Sequence, residues 1–162
     1  MNGFEFSAAD FRRRALNQAG GPVDQAWRDH GDHVLNLASV IEIESLKLKD
    51  AAVLVPIIDD GGEPRLILTK RTTRLRKHAG QIAFPGGGID ETDLSPEQAA
   101  IREAHEEIGL DPAYVETVGR LPQYLAGTGF RIVPVLAVVR SGFTITPNPA
   151  EVDSRSKCRC PS

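Results

Sequence analysis

The sequence predicts an α+β fold, a mixed sandwich of strands and helices, on three observations. Apolar, strand-like runs recur from Ala51 onward. One helix, over residues 96–108, carries a full set of start and stop signals. The two kinds of element follow no repeating βαβ order. A chain of 162 residues, 41% hydrophobic and 25% charged, has the makeup of a single globular domain. It is long enough to bury a core without disulfide staples.

Taken in order, Ser7-Ala8-Ala9-Asp10 reads as an N-cap with an acid three residues on, opening a helix from about 8 to 18. Gly20-Gly21-Pro22 ends it, and the polar, irregular run that follows makes 1–48 an N-terminal helical extension. Residues 51–58 form a buried strand, Asp59-Asp60-Gly61-Gly62 a hairpin turn, and 65–70 the returning strand. A basic loop leads to a short strand at 81–84, which stops at Pro85-Gly86-Gly87-Gly88. Ser95-Pro96-Glu97-Gln98 combines a capping serine, a first-turn proline and the glutamine of a capping box. The helix it opens runs to Ile108, with Gly109 as a left-handed C-cap. Further strands are expected at 115–125 and 130–139. The domain so outlined is 49–152. Residues 153–162, short, basic and without periodicity, read as an atypical tail of the kind a truncation or frameshift leaves.

Several classes of function are excluded. A net charge of −3 gives no global reason to bind nucleic acid or an anionic membrane. The longest apolar run, 51–58, is far short of the roughly 20 residues of a spanning helix and contains Pro56. Glu5, Asp10 and Arg12-Arg13-Arg14, with no apolar stretch among them, do not form a secretory leader. Cys158 and Cys160 stand near the end, cannot cross-link a core, and lack the other two ligands of a zinc site. A cytoplasmic, reducing compartment is expected.

The chemistry concentrates on the 96–108 helix. At 100° per residue, with Glu103 at zero, Glu107 falls at about +40° and Glu106 at about −60°, so three carboxylates share one face. Ala100, Ala104 and Ile108 stack on the opposite, core-facing side. Like charges at this spacing repel, and Arg102, four residues before Glu106, offsets only part of that. A hard divalent cation, Mg²⁺ or Mn²⁺, would cancel the rest, since such ions take carboxylate oxygens and need neither His nor Cys. Gly86 to Gly88 permit close backbone approach and leave carbonyls free for a metal's shell. They are not a P-loop, because no Gly-Lys-Ser/Thr follows. Upstream, 65–78 holds six Lys or Arg and no acid, whereas 90–107 holds seven acids and one base. A basic loop beside an acidic metal site suits a pyrophosphate, with guanidinium groups on the outer oxygens and metal at the bridge. A solvated acidic face paired with a charged loop is the plainer alternative. His105, at about +200°, reads as packing, and His78 as a phosphate or adenine contact.

Arg102-Glu103-Ala104-His105-Glu106-Glu107-Ile108-Gly109-Leu110 resembles the core of the Nudix box, with Gly87 as its leading glycine. Asp93 stands where that family usually has Glu, and the spacer to Arg102 is one residue longer. Leu68-Thr69-Lys70-Arg71, Arg76, Gly80-Gln81 and Phe84-Pro85-Gly86-Gly87 are similar to the signature of the coenzyme A diphosphatase branch. The resemblance covers residues 51–151 and implies a Nudix α/β/α sandwich with a mixed β-sheet. It implies hydrolysis of a small-molecule pyrophosphate, coenzyme A first, giving adenosine 3′,5′-bisphosphate and 4′-phosphopantetheine. ADP-ribose or a nucleoside triphosphate as substrate, or nucleotide binding without turnover, are the alternatives. On this reading Glu103, Glu106, Glu107 and the Gly87 carbonyl hold one to three Mg²⁺ or Mn²⁺ ions. Arg102 orients the carboxylates, Arg71, Arg74, Arg76 and His78 contact substrate, and the general base is Glu106 or Glu151.

Overall fold

A computed structural model describes residues 7–16, 31–32, 47–72 and 80–159, the last seven as backbone. Among these, the elements are α1 (Ala8–Leu16), β1 (Lys49–Asp59), β2 (Arg65–Arg71), β3 (Ile82–Ala83), β4 (Gly86–Gly88), α2 (Pro96–Ile108), a 3₁₀ turn (Pro112–Tyr114), β5 (Val115–Arg120), β6 (Tyr124–Ala126), β7 (Phe130–Arg140) and β8 (Val152–Arg159).

The strands form one mixed sheet. β1 and β7 run parallel at its centre, in unbroken register from Lys49↔Phe130 to Asp59↔Arg140. Every other pairing between these strands is antiparallel. A parallel pair is normally covered on both faces, and the alternation along β7 shows how. Val133, Val135, Ala137 and Val139 join Ala52, Leu54 and Ile58 under α2, through Ala99, Ala100, Ala104 and Ile108. Leu136 and Val138 face the other way, onto Ala8, Ala15 and Phe11 of α1. The result is the α/β/α sandwich that the sequence implies. Pro56 is tolerated in a central strand because it lies between the stretch of β1 paired to β4 (51–53) and the stretch paired to β2 (57–58), where one missing N–H breaks no ladder bond on that side.

Both helices start as the sequence predicts. The Ser7 hydroxyl accepts from Asp10 N–H at 3.1 Å, and the Ser95 hydroxyl accepts from Gln98 N–H at 3.2 Å. The Gln98 side chain, however, accepts from Leu94 N–H at 2.8 Å instead of closing the box on Ser95. Gly109 ends α2 at φ 64°, its N–H on the His105 carbonyl. Arg12 ties α1 to the sheet through Asp59 at 2.9 Å and Glu116 at 2.8 Å.

Four expectations change. The strand expected at 115–125 is split into β5 and β6 around Pro122, which has no N–H for the ladder. The glycines 86–88 are themselves a strand, in register with Ala51 to Val53. His105 is exposed, not packed, with Nδ1 3.2 Å from the Leu110 carbonyl. The run taken for a tail pairs as β8 along β2, from Arg71↔Val152 to Arg65↔Arg159. Its pattern VDSRSKCR lacks the apolar alternation that marks a strand. Backbone pairing to β2 supplies the order instead.

Candidate active site

Three segments meet at the C-terminal half of α2. The helix supplies Arg102, Glu103, Glu106 and Glu107. The glycine strand lies across it, and the turn before β8 brings Glu151. Docking of that turn follows from helix chemistry. The last carbonyls of a helix have no partner within it, and here Thr146 N–H and Asn148 N–H take those of Ile108 and Glu107, each at 2.8 Å. Asn148 then accepts from Glu151 N–H at 3.0 Å, and the Glu151 carbonyl accepts from Thr72 N–H at 2.9 Å. The Asn148 amide steadies the Glu151 carboxylate at 3.3 Å. Its negative charge reaches both Glu103 and Glu107, where it favours protonation.

The three glutamates of one wheel face have different surroundings. Glu106 is half exposed. Glu103 is largely covered, and Glu107 is buried at 4% exposure. The cause is β4: strands without side chains can lie directly over the helix. A Cβ on Gly87 would stand 2.6 Å from the Glu103 carboxylate, and Gly86 N–H donates to Glu107 at 3.1 Å. Burial pushes the Glu107 carboxyl up to about 7, against the pull of the Gly86 N–H and Arg71. Glu103 is raised in the same direction, again chiefly by burial.

Arg102 does more than the sequence suggested. Its guanidinium reaches Glu103 at 3.0 Å and Glu106 at 3.3 Å, so two of the three carboxylates already have a cationic partner. It also donates twice to Asp93, at 3.1 and 2.9 Å, and once to the Gly88 carbonyl at 3.0 Å. Asp93 has 2% of its side chain exposed, and the Arg102 hydrogen bonds hold its carboxyl below the usual range. Sequence reasoning noticed Asp93 but gave it no role. The shared spacing of an acid, a helix cap and an arginine was the available signal.

Of the basic residues proposed for substrate, Arg71 lies at the site, its Nη1 3.8 Å from the Glu107 carboxylate. Its Nε is buried with no hydrogen-bond partner. Arg74, Arg76 and His78 lie outside the described residues. Among the described residues no three carboxylates are drawn into a closed cage. The donor set is nonetheless all hard oxygen, and the Gly87 cradle leaves the Glu103 carboxylate room. That chemistry fits Mg²⁺ or Mn²⁺.

Gly87→Ala tests the cradle. The new Cβ must displace the end of the Glu103 side chain, so kcat is expected to fall at least tenfold while the melting temperature stays close to wild type. Wild-type turnover would show that the contact does not set the carboxylate's position.

A second prediction concerns pH. A carboxyl raised from the usual 4.5 to about 7 in the fold stabilises through its protonated form. That contribution is complete below pH 4.5 and is lost as pH rises through 7, on the order of 3 kcal/mol. In chelator, the stability difference between wild type and Glu107→Gln should therefore shift in favour of the variant between pH 4.5 and 7.5. A flat difference in denaturation midpoints would refute the burial effect.

Comparison with known proteins gives a consistent picture. The NUDIX domain family matches residues 48–158, running well into β8. The chain is 43% identical over 114 residues to the uncharacterized Nudix hydrolase NudL of Escherichia coli O7:K1, covering 70% of this chain and 59% of that protein. It spans about half the length of the curated relatives it matches. A Caenorhabditis elegans Ap4A hydrolase binary complex superposes with a TM-score of 0.57 at 22% identity, over 69% of this chain and 80% of that one. The NUDIX domain of Shewanella oneidensis NrtR, solved with ADP ribose, gives 0.54 at 21%, over 72% and 76%. At these identities both structures speak for the fold alone.

Proposed function

The chain belongs to the Nudix family, and from that membership we propose that it hydrolyses the pyrophosphate of a nucleotide-type substrate, coenzyme A in particular. The observation that carries this reading is the placement of a half-satisfied guanidinium, Arg71, beside a buried carboxylate, Glu107. A cation and an anion so placed suit a phosphoryl group with its metal ion. The choice of coenzyme A rests on the resemblance of the 68–87 stretch, of which Arg71, Gly86 and Gly87 stand against the glutamates.

Glu103, Glu106 and Glu107 would hold Mg²⁺ or Mn²⁺, with the Gly87 carbonyl as a further donor. When bound, the ion lowers the pKa of a coordinated water and neutralises phosphoryl charge. Arg102 fixes the carboxylates through its bonds to Asp93 and Gly88. Arg71 offers its Nη1 to phosphate oxygens, joined by Arg74, Arg76 and His78 from the basic run. Glu151 or Glu106 takes the proton of the attacking water, and its place beside Glu103 and Glu107 favours Glu151.

The test is hydrolysis of coenzyme A with Mn²⁺, the products read by mass, against ADP-ribose and dephospho-coenzyme A. Adenosine 3′,5′-bisphosphate and 4′-phosphopantetheine are expected, with a higher kcat/KM for coenzyme A than for its dephospho form, because six basic residues in 65–78 suit an added 3′-phosphate. Equal values would remove the loop from 3′-phosphate recognition, and preference for ADP-ribose would displace coenzyme A.

A further inference from the structure

Every polar atom of Asn148 is engaged. Its N–H closes on the Glu107 carbonyl at 2.8 Å, and its own carbonyl accepts from Glu151 and Val152 N–H at 3.0 and 2.9 Å. The side-chain oxygen accepts from Ala150 N–H at 3.1 Å. The side-chain nitrogen donates to the Glu151 carboxylate at 3.3 Å. Asparagine opening a four-residue turn, with proline second, is a favoured arrangement, and Asn148-Pro149-Ala150-Glu151 has both. That turn uses only the side-chain oxygen, which an aspartate would supply as well. The nitrogen has a separate use.

Which end of the amide faces Glu151 is fixed by chemistry. Ala150 N–H is a donor and can be met only by oxygen, so the NH₂ turns toward the carboxylate. The main chain of Glu151 is pinned too, its carbonyl on Thr72 N–H at 2.9 Å. Thr72 follows Arg71, whose guanidinium lies beside Glu107. Glu151 is therefore held at backbone and at side chain, both times against segments that carry Glu107 or touch it. A free glutamate side chain must be ordered before it can act, and a residue that orders it in advance removes that cost.

Resting on the hydrolase reading above, with Glu151 as proton acceptor for the attacking water, we propose that Asn148 is a positioning residue. Its amide sets the Glu151 carboxylate in place relative to Glu107, and it acts on turnover through Glu151.

A double-mutant cycle separates this role from a purely structural one. kcat and KM with Mn²⁺, for coenzyme A and for ADP-ribose, are measured together with Tm. The variants are Asn148→Asp, Asn148→Ser, Glu151→Gln and the two pairs that include Glu151→Gln. Asn148→Asp keeps an oxygen for Ala150 N–H and turns a like charge on Glu151. Asn148→Ser keeps an acceptor for the turn and stops short of the carboxylate. Each is expected to lower kcat about tenfold or more, as misplaced groups do, with KM within about twofold and Tm close to wild type. In the Glu151→Gln background, itself slowed further, the same changes should cost no more kcat. Losses that multiply instead would assign Asn148 to the turn alone, overturning the proposal and leaving the hydrolase reading intact. Wild-type turnover by Glu151→Gln would do the same by passing the proton to Glu106. The cycle is read on whichever compound is turned over. A wild type that hydrolyses neither removes the hydrolase reading and the positioning role together.

Discussion

Glu107→Gln is expected to lower kcat by several orders of magnitude and leave the fold intact. The amide keeps an oxygen that can accept the Gly86 N–H now held at 3.1 Å, so shape and hydrogen bonding persist while one ligand charge is lost. Glu103 and Glu107 stand one helical turn apart, about 5–6 Å between Cβ atoms, and can share a cation. Mg²⁺ or Mn²⁺ should therefore raise the melting temperature of the wild type and do so far less in the variant. Glu97→Gln, on the same helix, is the control for kcat. Because Glu97 pairs with Arg120, this control is expected to cost up to about 1 kcal/mol of stability without slowing turnover. Wild-type turnover by Glu107→Gln would reduce the carboxylate cluster to a buried acid with no part in catalysis.

The second large effect is structural. Arg102→Met leaves Asp93 buried with only the Asp90 N–H, at 2.9 Å, of the three hydrogen bonds its carboxylate accepts. Removing one partner of a covered ion pair costs about 3 kcal/mol or more, which for a chain of this size lowers Tm by roughly 10 °C. Turnover should fall with it, since Glu103 and Glu106 lose their tether. Adding Asp93→Asn should recover much of the stability and none of the turnover. If the single variant melts within two degrees of wild type, the Asp90 N–H satisfies Asp93 by itself and Arg102 is not the hub.

The helix bearing the glutamates was the most legible part of the chain. Ser95, Pro96 and Gly109 each carry a local reason for their position, and such reasons need no knowledge of the fold. What a helical wheel could not reveal is that one of its three carboxylates is buried. Glu107 is covered by a glycine strand some twenty residues earlier, and glycine has too little strand preference to announce itself. The same limit applies to β8, whose polar sequence becomes a strand only because β2 offers an edge. Glu151 was identified as a candidate base, yet its route to the site depends on unfilled carbonyls at the end of α2. That is a tertiary fact. Arg74, Arg76 and His78 stand on the family resemblance and the basic run alone.

The parallel register of β1 and β7 has a consequence for the order in which the chain can fold. Lys49 to Asp59 must wait for Phe130 to Arg140, and closing so long a loop is slow compared with forming a hairpin. Arg71, the glycines, Asp93 and the whole of α2 lie inside that loop. During synthesis the hairpin of β1 and β2 and the helix α2 can form early, but their shared apolar surface has no centre to close on until β7 has left the ribosome. Variants that weaken β7 should thus reveal themselves first as slow refolding and aggregation of an intermediate, before any loss at the carboxylates is seen.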